Sequence, residues 1–307
     1  MRDPEGLVEY AADVVDVPRG LPLVAALTGF ADSGSAVTQF GDYLTSQLEH
    51  RLVARFDTDE LLDYRARRPM FTFEHDHLTD YDPPSIELLL MSDEIGQQFL
   101  LLTGFEPDFQ WERFTTAVVD LIDRFGVSTA TWVHAIPMPV PHTRPIGVTV
   151  SGNRTELIES MSVWKPRTQV PGNVLHLLEY RLTELEHPIA GFVLLVPHYL
   201  ADTEYPAAAV TALDSVSAAT GLLFPTDRLR EENRDFLARI DSQVEGNHEL
   251  AKLVATLEER HDSYMAENPL PSPLTDEYGE LPTADEIAAE LQNFLAARKR
   301  EDEPPPV

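Results

Sequence analysis

The chain has 307 residues, a formal net charge of −29 and no cysteine. So acidic a surface repels phosphate backbones and anionic lipid headgroups, which sets aside nucleic acid and membranes as partners. The missing cysteines exclude a disulfide framework, a thiolate nucleophile and a Cys-ligated metal.

The first twenty residues, MRDPEGLVEYAADVVDVPRG, carry acids at intervals and no continuous apolar segment, so no signal peptide is expected. No run reaches the roughly 18 apolar residues of a membrane helix, and a cytoplasmic protein is expected. Strand-length apolar runs then follow one another from Leu21, Arg51, Met70, Ile86, Gln98, Val127, Ile146 and Ala190. Several are apolar on consecutive positions, the pattern of strands buried on both faces. Helical stretches fall between them at Ser33 to Glu49, Pro107 to Phe125, Asn173 to Glu186 and Tyr205 to Thr220, each with a cap or an early proline. This alternation predicts an α/β fold, a mostly parallel sheet flanked by helices.

After about Gly221 the texture changes. Leu229, Phe236, Leu237 and Ile240 form one helical stripe and Leu250, Leu253, Val254 and Leu257 another, broken near EGNHE. The expected organisation is an α/β core over 1–225, a helical hairpin over 226–268 as a C-terminal appendage, and, over 269–307, a proline-rich linker, a short amphipathic helix and a disordered acidic tail.

In a parallel sheet, ligands collect beyond the carboxyl ends of the strands. Four segments fall there. TGFADSGSA leaves the first strand and opens a helix, with Asp32 and Ser33 as cap or ligand-binding candidates. DTDELLDYRARRP gathers Arg65, Arg67 and Arg68, which suit an interface or an anion. LTGFEPDFQWERF offers Glu106. PMPVPHTRP holds His142 and Arg144 in a loop stiffened by Pro137, Pro139 and Pro141, and LLVPHYL repeats the Pro-His pair at His198. EHDH, Glu74 to His77, sets two histidines on one strand face but lacks a third ligand, so no metal is expected. GxSxG and HExxH are both absent. No cofactor and no catalysis are expected.

Taken in order, GFADSGSA, DTDELLDYRARRP, LTGFEPDFQWERF, PMPVPHTRP, VPHYLADTEYPAAA and TGLLFP make the sequence resemble the proteasome assembly chaperone 2 family in its long actinobacterial form, from about Leu21 to Pro225. The resemblance implies an α/β domain similar to the purine nucleoside phosphorylase type, self-associated, a trimer being the expected homo-oligomer, with C-terminal helices. It also implies protein partners related to the proteasome. Some archaeal relatives dock through a hydrophobic-Tyr-X tail; this chain ends EPPPV, so docking of that kind is not expected. The expectation is an assembly or interaction protein. Its alternative is a binder or enzyme for a nucleoside, sugar or anion, using a strand-end pocket.

Overall fold

Strands that are apolar on consecutive positions need cover on both sides, and two layers of helices supply it. The computed structural model describes residues 3–12, 17–165, 167–268 and 270; all but residue 270 of the expected linker, helix and tail over 269–307 lies outside them. The elements are β1 (Val8–Tyr10), β2 (Leu23–Thr28), α1 (Ala36–Gln47), β3 (His50–Phe56), α2 (Thr58–Leu61), β4 (Met70–Glu74), β5 (His77–Asp82), β6 (Ile86–Ser92) and β7 (Gln98–Phe105). Then come α3 (Trp111–Phe125), β8 (Ala130–Met138), β9 (Val148–Gly152), α4 (Thr155–Met161), α5 (Val174–Glu184), β10 (Ile189–Pro197), α6 (Pro206–Thr220), α7 (Asp227–Glu245) and α8 (His248–Glu267).

Eight strands form one sheet in the order β1-β3-β6-β7-β2-β8-β10-β9, and β4 pairs with β5 in a separate hairpin. The centre, β7-β2-β8-β10, is parallel. β6 and β9 run against it, β3 lies antiparallel to β6 and β1 to β3, so the sheet is mixed, with a parallel centre and antiparallel flanks. β2 shows why: Val24 and Ala26 enter one core with α1 and α6, while Leu23, Ala25 and Leu27 enter the other with α3 and α5.

The helices follow their sequence patterns. α3 buries Phe114, Ala117, Val118, Leu121, Ile122 and Phe125, the i, i+3, i+4 stripe, and stops at Gly126 in the left-handed region. α6 opens on Pro206 and buries Ala208, Ala209, Ala212, Leu213 and Val216 along with Ser215, more than one stripe. α7 supplies its outer cover. Leu229 is buried there, and Phe236, Leu237 and Ile240 pack against the same core. Asn247 caps α8, its Oδ1 accepting from the N–H groups of Glu249 and Leu250.

Some expectations shift. α1 begins at Ala36 rather than Ser33, because Ser33–Ser35 form a short 3-10 turn with Gly34 and Ser35 at φ 70° and 49°. α3 begins at Trp111 rather than Pro107, since Gln110 stands at φ 59°. EHDH is not one strand: His75, at φ 57°, turns the chain between β4 and β5. Pro137 does lie in β8, at its last positions, where β10 is a register partner and the β2 pairing has already ended.

α5 is pinned to the sheet by a half-buried carboxylate. Glu179 accepts from Trp132 Nε1 at 2.8 Å and from Ser151 Oγ at 2.7 Å, and burial pushes its carboxyl up. The Trp132 ring lies over Gly191, its register partner on β10. A Cβ at Gly191 would stand 2.2 Å from Trp132 Cε2. Gly191→Ala should therefore displace the indole and lower stability by roughly 1–3 kcal/mol, the usual range for overpacking, measured by urea denaturation; an unchanged midpoint would show that the indole moves freely.

Candidate functional site

β2 and β8 pair only from Leu23–Ala25 to Ala130–Trp132 and then part. Asp32 rejoins β8 at Ala135 as a single bridge. The β2 chain continues through α1 to β3 on one side, and β8 continues toward β9 and β10 on the other. The gap between them is therefore the point where strand order reverses, the place such sheets offer to ligands.

Asp32 is engaged at the helix start: its carboxylate accepts from Val37 N–H at 2.7 Å, Thr38 N–H at 2.9 Å and Thr38 Oγ1 at 2.7 Å. Ser33 is buried in the 3-10 turn. Backbone bonds tie this turn to the loop after β10, from Gly34 N–H to Ala201 and from Tyr205 N–H to Gly34. Gly29, at φ 123°, leaves no room for a Cβ, because Arg67 Nη2 would stand 2.7 Å from it. Arg67 also ion-pairs with Asp108 and lies over the Phe105 ring at 5.4 Å, so it joins the loops after β2 and β7. Arg65 pairs with Asp63 at the surface, and Arg68 is exposed.

Glu106 is buried, and its Oε1 accepts from Val174 N–H at 2.6 Å, at the first turn of α5. Desolvation raises its pKa, with the Val174 bond and Arg67 opposing. Asn173 and His176 close that turn as a reciprocal capping box. Beside them stands His134 of β8, stacked on Phe30 with centroids 5.6 Å apart and rings 6° from parallel. Burial, then His176, lowers its pKa to about 4. His134 escaped the sequence reading because it sits inside the apolar run TATWVHAIP; a lone titratable residue in a doubly buried strand was the available signal.

His142 and Arg144 are placed elsewhere. The His142 ring is buried between Tyr199 and α7: the Tyr199 hydroxyl is 2.7 Å from both the His142 backbone N–H and Nδ1, and Nε2 is 3.2 Å from Asp241 Oδ1. Burial pushes the Tyr199 phenol up to about 12. The phenol oxygen accepts from the backbone N–H, and the imidazole spans Tyr199 and Asp241 with one ring nitrogen toward each. Arg144 grips α8, with Nε and Nη2 on the two oxygens of Asp262 at 2.8 and 2.7 Å and Nη1 on Glu258 at 3.3 Å. The guanidinium, with His261, holds the Asp262 carboxyl well below the usual range. Thr143 Oγ1 donates to Glu258 as well. His198 is exposed, its ring edge-on to Tyr199 at 5.4 Å. Of the six strand-end candidates, then, His142 and His198 meet at Tyr199, His142 and Arg144 reach from the loop after β8 to α7 and α8, Asp32 and Ser33 stay at the start of α1, and Glu106 belongs to the separate His134 cluster.

Among the described residues no group of three His, Asp or Glu side chains is placed to hold a metal, and no helix is long and apolar enough to cross a membrane. The class is thus an α/β protein with a mixed, helix-flanked sheet, several of whose strand-end polar groups, Asp32, Glu106, His142 and Arg144, fasten its own helices. The sequence profile of the PAC2 family matches residues 26–244, and the chain belongs to that family. A protein of unknown function from Corynebacterium glutamicum is 36% identical, with a TM-score of 0.82 over 85% of this chain and 98% of its own. Rv2714 of Mycobacterium tuberculosis, also of unknown function, is 43% identical, with a TM-score of 0.79 over 85% of this chain and 93% of its own. The proteasome-assembly chaperone homologue Rv2125 of Mycobacterium tuberculosis shares the fold at 22% identity, with a TM-score of 0.70 over 76% of this chain and 100% of its own. No curated protein matches the sequence.

His134 has a pH signature. A histidine whose pKa is lowered on folding binds fewer protons folded than unfolded, so it contributes stability above the unfolded value of 6.5 that is lost as pH falls toward about 4. Glu106 and Glu179, raised by burial, act in the opposite sense. Comparison with His134→Phe isolates the histidine: between pH 7 and pH 5 the wild type should lose about 2 kcal/mol more than the variant, read from urea midpoints at each pH. Parallel pH profiles would show that His134 titrates normally.

Proposed function

We propose that the protein is an assembly or interaction factor that works through protein contacts, as a homo-oligomer in the cytoplasm and without catalysis of its own. The observation that carries this reading is the β4–β5 hairpin. Phe73 and Leu78 face each other across it, 69% and 60% exposed, and Phe71 stacks on Tyr81 at 4.9 Å with both rings exposed. A lone two-stranded hairpin is marginal in water, and an apolar face of this kind marks a contact surface. Glu74, Asp76, Asp80 and Asp82 give it an acidic rim.

Membership of the PAC2 family supports a chaperone-like role. The fold is also that of the proteasome-assembly chaperone homologue Rv2125 and of PbaB, an archaeal proteasome activator from Pyrococcus furiosus, so proteasome-related proteins are the partners proposed. A trimer is the proposed assembly.

Phe73→Ser combined with Leu78→Ser changes side chains that touch little of either core, so it should leave the melting temperature within a few degrees while dissociating the oligomer. Light scattering coupled to size exclusion reads this directly. A wild type that stays monomeric at every concentration, or a double variant with the wild-type mass, would count against the hairpin as the contact.

A further inference from the structure

The β4–β5 hairpin joins an apolar face to an acidic rim, and charge decides what that face can meet. In a two-fold contact a patch faces its own copy. Glu74, Asp76, Asp80 and Asp82 of one hairpin would then face the same four of the other, and like charges brought together at an interface oppose the contact. The base of the hairpin does not relieve this. Arg65 and Arg67 are already paired with Asp63 and Asp108, and Arg68 shares the segment 57–69 with Asp57, Asp59 and Glu60.

A segment elsewhere has the opposite character. Between α4 and α5, residues 163–173 read VWKPRTQVPGN, two cations and no acid in a chain with 52 acidic residues. Lys165 and Arg167 are exposed and enter no ion pair among the described residues. Val170, close to them in sequence, is 63% exposed.

We propose that the hairpin of one copy seats on residues 165–170 of the next, its apolar face against Val170 and its carboxylates toward Lys165 and Arg167. This rests on the reading of the hairpin as the surface of self-association. Within one chain the two patches lie apart. The hairpin connects β3, through α2, to β6, whereas Ser162, three residues before Lys165, is bridged to Val148 of the edge strand β9. β6 and β9 are five strand spacings apart in the sheet, about 24 Å, and both patches are exposed, so neither covers the other. Complementary patches at separate places on one surface make a head-to-tail contact, and such contacts close into a ring when the rotation between copies permits. The trimer proposed above is a ring of that kind.

Charge exchange in the full-length protein tests this. Glu74→Lys with Asp82→Lys reverses the rim at two exposed strand positions and leaves Asp80, at φ 52°, untouched. Lys165→Glu with Arg167→Glu reverses the segment. In sedimentation velocity over a concentration series, each reversal should raise the midpoint concentration of assembly at least about tenfold, with the mass falling toward the 34.4 kDa of one chain. The chain carrying all four changes should return to within about threefold of the wild type. Because the four changes together restore what each pair removes, misfolding cannot imitate this result. Assembly unaffected by Lys165→Glu with Arg167→Glu overturns the proposal; if Phe73→Ser with Leu78→Ser still dissociates the oligomer, the hairpin remains a contact and meets another surface. A four-change chain that stays dissociated overturns it as well. So does an Arg68→Glu variant that dissociates and is restored by the lysine-bearing hairpin, which places the hairpin against the base of its partner.

Discussion

The burial of α6 on several sides is the constraint that the C-terminal half of the molecule answers to. Its run PAAAVTALDSVSAAT has only a narrow polar line, at Thr211, Asp214 and Ser217, and a helix so largely apolar needs cover on most of its faces. The sheet and α1 cover two sides through Val196, Phe40 and Leu44. α7 covers a third, with Phe236 against Tyr205 at 5.3 Å, and leaves Asp214 and Ala218 at the surface. α7 and α8 are nonetheless acidic, and apolar packing alone leaves α8 with little more than Val254 and Leu257 buried. The proline-rich loop after β8 makes up the difference, because His142 reaches α7 while Thr143 and Arg144 reach α8. Prolines at 137, 139 and 141 remove backbone freedom before folding, so less entropy is lost when three side chains are aimed at once.

The opposite face is built otherwise. There α5 is held by buried and half-buried polar groups: Glu179 between Trp132 and Ser151, Glu106 on Val174, and the Asn173–His176 box. Each carboxylate is desolvated and each is paired, which is the condition under which such groups are tolerated. His134 departs from that rule, with a free nitrogen in a doubly buried strand at the point where β2 and β8 separate. One face thus fastens a helical pair to the core through a stiff loop, and the other keeps an unsatisfied group beside a helix start.

The central strands were legible because they are apolar on both faces, and the long helices because their stripes repeat at helical spacing. β5 was not: HLTDYD has neither an apolar run nor a buried side, and it pairs only with exposed β4. α2 and α4, of four and seven residues, are too short for periodicity to emerge. At the sites, the stiffness of PMPVPHTRP could be read and its partners could not. Asp241 and Asp262 lie 99 and 118 residues further along the chain, and only the path of the sheet and α6 brings them together. Asp32 was readable as a cap since its partners are five and six residues away.

The central claim is that the C-terminal helices complete the core and that the loop after β8 holds them there. Hydrogen exchange resolved by peptide, comparing the wild type with Arg144→Ala, tests it most directly. The account predicts faster exchange in α8 and α7, extending to the α7-facing side of α6, with β2 and β7 unchanged. Unchanged rates across α7 and α8 would contradict it.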